Sequence, residues 1–216
     1  MGRSMYQLPV FRETDLGTQQ AFIAGHPLGL LVSSGPGGML ANLVPFVLYP
    51  DDGGFGTLRA HLSRGNPQWS ALLASPEALI VFQGAEHYVT PSWYPQKAVD
   101  GKVVPTWNYA LVQARGRVEI VENAAWLLAN VTALTDQQEG RRPKPWAVSD
   151  APEAFILSQL KGIVGIEIAL TGIEAKFKAS QNRPEADRAG VAEGLLGEPG
   201  PHAPAMRELV KARGSV

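Results

Sequence analysis

Residues 107–121, WNYALVQARGRVEIV, alternate polar and apolar side chains over a length that suits one long, bent antiparallel strand. The rest of the chain supplies partners for it, with six to eight strand signals in all. Leu28–Ser34 and Met39–Leu48 flank Gly35-Pro-Gly-Gly38, which is hairpin-turn chemistry, and Pro45 confines the second run to an edge or a bulge. After a turn at Asp51–Gly54, Phe55–Leu62 reads as a third strand. Ala78–Gly84 and Tyr88–Pro91 read as two more, with Glu86-His87 in a turn between them, and 92–106 reads as loop. Ile163–Leu170 and Ile173–Ser180 read as a hairpin across Thr171-Gly172.

Short helices interrupt these strands. The spacing predicts them over Thr14–Ala24, over Gln68–Ala74 behind Asn66-Pro67, over Ala124–Asp136 capped by Asn123, and over Pro152–Leu160. Beyond Pro184 two short helical patterns flank a Gly/Pro-rich linker at Gly197–Pro204. This order argues for a mainly β chain of the α+β class, an antiparallel barrel or strongly bent sheet covered by helices, and against a Rossmann alternation.

Composition narrows the function classes. With 45% apolar and 18% charged residues the chain can bury one real core, and Lys+Arg 19 against Asp+Glu 20 gives no general pull toward a polyanion. Any nucleic-acid surface has to be local. There is no cysteine, so disulfides and thiolate metal sites are excluded, and the four histidines lack metal-ligand spacing. His26 reads as a helix-end residue. No apolar run reaches the roughly 18–20 residues of a membrane span and the N-terminus lacks a signal-peptide core, which makes the cytoplasm the expected location. Gly2-Arg3-Ser4 before Met5 reads as a cloning remnant, so residues 1–4 carry no weight.

Two stretches carry chemistry. In Thr57-Leu-Arg-Ala-His-Leu-Ser-Arg-Gly-Asn-Pro-Gln-Trp69 the side chains of Thr57, Arg59 and His61 share one face of a strand. Ser63 and Arg64 lie at the junction with a helix beginning at Asn66, whose first N–H groups add donors. Guanidinium, hydroxyl and peptide N–H groups converging in this way suit a phosphate monoester. The same spacing fits solvated charges on an edge strand equally well. The second stretch joins Tyr88–Pro95 to Val104–Tyr109, where aromatic rings alternate with small polar residues. Trp93, Tyr94 and Trp107 could wall a flat heteroaromatic ring while Ser92, Thr106 and Asn108 orient it. Neither standard phosphate-binding glycine loop occurs, nor does a G-x-S-x-G elbow.

In its wording the chain resembles the PaiB family of FMN-binding negative transcriptional regulators, a branch of the pyridoxamine-phosphate-oxidase-like split-barrel flavoproteins. The matching phrases include Leu43–Leu48, Gly56–Arg64 with Asn66-Pro-Gln-Trp69, Phe82-Gln-Gly84, Tyr88–Tyr94, Gly101–Tyr109, Pro145–Asp150, Ile163–Ile168 and Lys178-Ala-Ser-Gln-Asn-Arg183. The resemblance implies an antiparallel six-stranded split β-barrel with peripheral helices over 5–196, followed by a linker and short helix over 197–216. It also implies a homodimer with FMN at the subunit boundary. By that likeness Thr57, Arg59, His61 and Arg64 hold the phosphate; Asn66 at the helix start and Ser92, Trp93, Trp107 and Asn108 of the aromatic stretch join them as cofactor-binding candidates on the residues alone. Lys178, Ser180, Gln181 and Asn182 form a further polar cluster, of which Lys178 and Gln181 are cofactor-binding candidates. The family label suggests regulation, yet there is no evident helix-turn-helix and only Met206–Arg213 is locally basic, which makes specific DNA binding doubtful. The alternative is an FMN-dependent oxidoreductase acting on an unknown small substrate.

Overall fold

Alternating sequence becomes alternating burial throughout the structure, a computed structural model that describes residues 4–214; residues 1–3 of the remnant segment lie outside the described residues. The strands are β1 (Arg12–Glu13), β2 (Leu28–Gly35), β3 (Gly38–Pro45), β4 (Val47–Tyr49), β5 (Thr57–Ser63), β6 (Glu77–Val89), β7 (Thr106–Val121) and β8 (Ile163–Lys178). They form one antiparallel sheet in the order β3-β2-β6-β7-β8-β5-β4, with β1 added to β8. Six of them have seven residues or more, and the short β1 and β4 are additions to that six-stranded framework. The helices are α1 (Leu16–Gly25), α2 (Gln68–Ala74), α3 (Gln96–Asp100), α4 (Ala124–Glu139), α5 (Glu153–Leu160), α6 (Glu185–Gly194) and α7 (His202–Arg213).

Four sequence expectations change, the first being that 92–106, read as loop, holds α3 and the end of a 3-10 turn at Pro91–Trp93. The segments 78–84 and 88–91 are one strand, β6, so Glu86-His87 lies inside a strand and not in a turn. Likewise β8 runs unbroken through Thr171-Gly172: Gly172 does not take a positive φ, and the Thr171 hydroxyl donates to the carbonyl of Arg115 at 3.2 Å. Polar punctuation here is solvent exposure within a strand. The expected linker is shorter, since the last helix already begins at His202.

Contacts divide the chain into two units, with β6, β7 and β8 each contributing to both. The larger unit comprises residues 16–82 and 113–173. Its β2–β3 hairpin turns at Gly35↔Gly38, and Pro45 ends β3 at the sheet edge. Phe46 follows, fully buried and edge-on to Phe82. The β3 and β5 strands, although apart in the hydrogen-bonded order, lie against each other, so this half of the sheet curls toward barrel closure. Gln68 locks α2 to the hairpin: its amide N–H groups donate to the Leu31 carbonyl (2.9 Å) and the Ser33 hydroxyl (3.1 Å), and its carbonyl accepts from Asn42. Helix α4, capped by Asn123, covers β4 and β5.

The smaller unit joins the segment ending at Asp15 to residues 83–112 and 174 onward. Its core contains Val89, Tyr94, Ala179, Val191, Leu195, Ala203, Met206 and Val210. Helix α7 therefore supplies three core residues and packs on α6. Gly190 and Gly194 of α6 let Trp93 pack on that helix, because a Cβ at either would collide with it. No helix among the described residues is long and apolar enough to cross a membrane.

Candidate functional site

The β5 row exists, but it is not free. Leu58, Ala60 and Leu62 point into the core while Thr57, Arg59, His61 and Ser63 alternate with them, as period-two geometry requires. Arg59 is paired in register with Glu167 of β8, and its Nε donates to the Glu167 carboxylate at 2.6 Å. Its guanidinium lies over the Tyr49 ring at 4.3 Å and within 5.9 Å of Trp126, whose indole N–H donates to the same Glu167 oxygen at 3.3 Å. Burial works against the Arg59 charge, but Glu167 and then Tyr49 outweigh it and hold the pKa above its ordinary value. Asp52 adds a looser contact at 3.8 Å. Gly165 leaves room for the Trp126 ring.

His61 lies under α4. Burial pushes its pKa below the ordinary value, and the Asn130 amide donates to Nδ1 at 3.1 Å, which the neutral ring accepts. Trp126 and Asn130 are four residues apart, so both reach β5 from one face of the helix. Thr57 is buried, its hydroxyl directed at the Asp52 carbonyl. Just past the end of the strand Arg64 is exposed and pairs at 2.6 Å with a still more exposed Glu122. Asn66 does not present open helix donors, because its side chain already accepts the Gln68 N–H at 2.9 Å. Beside His61 opens a cleft of about 630 Å³, walled by Leu28, Pro45, Leu134 and Trp146, with Thr135, Gln138 and the carboxylate of Glu139 as polar groups.

The other candidates belong to the smaller unit, where they divide by role. Trp93 packs on α6, and Ser92 sits in the 3-10 turn capped by Thr90. Gln181 is spent locally: its carbonyl accepts from the Ala179 N–H (2.7 Å) and its amide donates to the Phe177 carbonyl (2.6 Å). That brace holds Ser180 at φ 62°, a left-handed conformation costing a non-glycine residue about 1–2 kcal/mol. Trp107 is half exposed, edge-on to Tyr88. Asn108 is fully buried; its amide N–H donates to the Ser180 hydroxyl at 2.8 Å while its Oδ1 has no partner. Lys178 donates to the Thr106 hydroxyl and, at 2.7 Å, to the Trp107 carbonyl. Burial, with Lys176 and Arg183 nearby, lowers its pKa. Tyr94, Thr106, Asn108, Lys178, Ser180 and Arg183 converge on a cavity of about 220 Å³.

A family model described as "Putative FMN-binding domain" matches residues 5–172. The chain belongs to that family. It is 32% identical to the protease synthase and sporulation protein PAI 2 of Bacillus subtilis, over 96% of this chain and 97% of that one. It is 37% identical to an uncharacterised protein of Aspergillus fumigatus, over 88% and 90%. Among solved structures, a FAD- and haem-binding protein of Mycobacterium smegmatis matches with a TM-score of 0.53 at 14% identity, over 77% of this chain and 73% of that one, a likeness of fold.

FMN is thus the family's cofactor, and the larger unit fits it in part. The cleft beside His61 falls within the roughly 300–1,000 Å³ of cofactor-sized pockets. Exposed Ser63 ends the same strand and Arg64 follows it, and the Arg64–Glu122 pair, screened by water, is worth at most about 1 kcal/mol. Arg59 fits the role less well, because Glu167 neutralises it. The residues that sequence reasoning missed are Glu167, Trp126 and Asn130. A lone carboxylate within the apolar run Ile163–Ile168 was the available signal, since a charge in such a strand needs a partner.

Proposed function

We propose that this member of the FMN-binding family carries FMN on the larger unit, with the phosphate at Ser63 and Arg64 and the ring in the cleft beside His61. The observation that carries this reading is the cleft itself, which is lined by His61, one member of the side-chain row that the family likeness assigns to the cofactor. Trp146 offers an aromatic wall and neutral His61 a hydrogen-bonding group, while Leu28 and Pro45 add apolar surface. Bound flavin would supply one- or two-electron redox chemistry; the protein contributes position and electrostatics.

The chain acts as a homodimer in this reading. Tyr88, Val104 and Trp107 in one unit, and Met39 and Leu43 on edge strand β3 in the other, leave large apolar side chains in water that a two-fold mate would cover. Sedimentation of dilute protein tests this, and a stable monomer with full flavin affinity refutes it.

Direct, sequence-specific DNA binding is not part of this function. The basic helix α7 spends its charges internally: Arg207 on Glu208 and the Ala192 carbonyl, Lys211 on Glu208, and Arg213 on Glu13. The regulator label of the family then describes an effect reached through flavin chemistry. Tight, sequence-selective binding of a promoter duplex at physiological salt would refute this.

The cofactor experiment is a fluorescence titration of apo-protein with FMN, FAD and riboflavin. FMN should bind most tightly, and Arg64→Ala should weaken FMN about tenfold or more while leaving riboflavin unchanged, as loss of one charge-assisted hydrogen bond of about 1.5–3 kcal/mol requires. Equal affinity of the wild type for FMN and riboflavin overturns the phosphate assignment.

A further inference from the structure

The cavity of the smaller unit is too small for a flavin nucleotide. At about 220 Å³ it lies below the range of cofactor pockets, and all of its lining residues come from that one unit. Its polar groups are nonetheless incompletely used. Asn108 is 0% exposed, and its Oδ1 is a buried acceptor without a donor. Such a group is costly to leave unpaired, by about 1–3 kcal/mol. The Tyr94 hydroxyl, also buried, makes no well-formed hydrogen bond, since the Arg183 guanidinium lies over the ring face, 4.7 Å from its centroid.

Charge points the same way. Lys178 donates only to neutral oxygens, those of Thr106 and Trp107. Neither Lys178 nor Arg183 takes part in an ion pair among the described residues, and no acidic residue lines the cavity. Burial raises the Tyr94 pKa, with Asp187 of α6 adding to it and Arg183 opposing it, and Asp187 spends one oxygen on the Gln96 N–H. Leu8, Phe11 and Val104 make up the apolar side. The complement of this arrangement has one anionic group for Lys178 and Arg183, one donor for Asn108, and a small apolar body. A phosphate monoester does not satisfy it, because its dianion at neutral pH has no O–H to donate to Asn108 Oδ1. An amino acid brings an ammonium group toward two cations.

We propose that this cavity binds a small 2-hydroxy carboxylate, with the carboxylate on Lys178 and Arg183, the hydroxyl donating to Asn108 Oδ1, and the alkyl group against Phe11 and Val104. The site is independent of the flavin reading, and the two fail separately.

Isothermal titration calorimetry with three probes tests it: 2-hydroxy-3-methylbutanoate, the same acid without its hydroxyl, and the neutral 2-hydroxy-3-methylbutanamide. The hydroxy acid binds one to one, and each of the other two binds at least tenfold more weakly. Lys178→Met and Asn108→Leu each weaken the hydroxy acid at least tenfold. If the buried Asn108→Leu variant does not fold, the half-buried Lys178→Met carries the test together with the probe series. Equal affinity for the three probes, unchanged affinity in Lys178→Met, or no binding of the hydroxy acid at millimolar concentration overturns the proposal. A parallel FMN titration of the same preparations reports on the cofactor alone.

Discussion

Replacing Glu167 by Gln asks directly whether Arg59 is a structural cation or a ligand-binding one. Gln keeps the shape of the side chain and removes the charge. The two side chains are each 29% exposed, and the contact between them is a 2.6 Å charge-assisted hydrogen bond. Unit charges about 4 Å apart near a protein surface attract by about 4 kcal/mol at an effective dielectric of about 20, but much of that is returned as desolvation when the pair forms. What remains is close to the worth of one hydrogen bond to a charged group, about 1.5–3 kcal/mol. Asp52 at 3.8 Å recovers little of it, being half exposed. Urea denaturation of wild type, Glu167→Gln, Arg59→Met and the double variant measures both the loss and the coupling. We expect Glu167→Gln to cost about 1.5–3 kcal/mol and the double variant to cost clearly less than the sum of the two single changes. A loss under about 0.5 kcal/mol with no coupling refutes the reasoning and returns Arg59 to the phosphate.

Met206 is 0% exposed in the core of the smaller unit, so Met206→Ala should cost about 2–5 kcal/mol in the same denaturation assay; a change near zero means that α7 is not part of that core. His61, whose pKa burial lowers from 6.5, binds fewer protons folded than unfolded. Its contribution is therefore level above about pH 6.5 and becomes increasingly destabilising as pH falls from there toward the folded-state pKa. Wild type should lose more melting temperature between about pH 7.5 and about pH 5.5 than His61→Gln does, and identical losses exclude the histidine as a source of acid sensitivity.

The difference between what the sequence made legible and what it hid follows from the range of the interactions. Elements decided by neighbouring residues were readable: the hairpin at Gly35–Gly38, the Asn123 cap and α2 behind Asn66-Pro67 are each set within a few positions. The two strands that read as pairs, β6 and β8, deceived for a local reason as well. Glu86-His87 and Thr171-Gly172 are turn-like in composition, but in strands this long polar residues also mark the solvent face. The pairings of the β5 charges were hidden because their partners are distant in sequence: Glu167 lies 108 residues from Arg59, and Glu122 lies 58 from Arg64. A row of cations on one strand states a demand for negative charge without saying who meets it. On β5 the chain meets that demand itself at Arg59, where β8 brings Glu167 into register and Trp126 of α4 bonds the same carboxylate. It meets the demand only loosely at Arg64, where both partners stay in solvent. In the smaller unit no carboxylate answers Lys178 and Arg183 at all among the described residues, and a buried amide oxygen is left over beside them. Unmet demand for charge is thus graded along the chain, from Arg59 through Arg64 to Lys178, and ligand chemistry belongs at the end of that series where the fold has supplied the least.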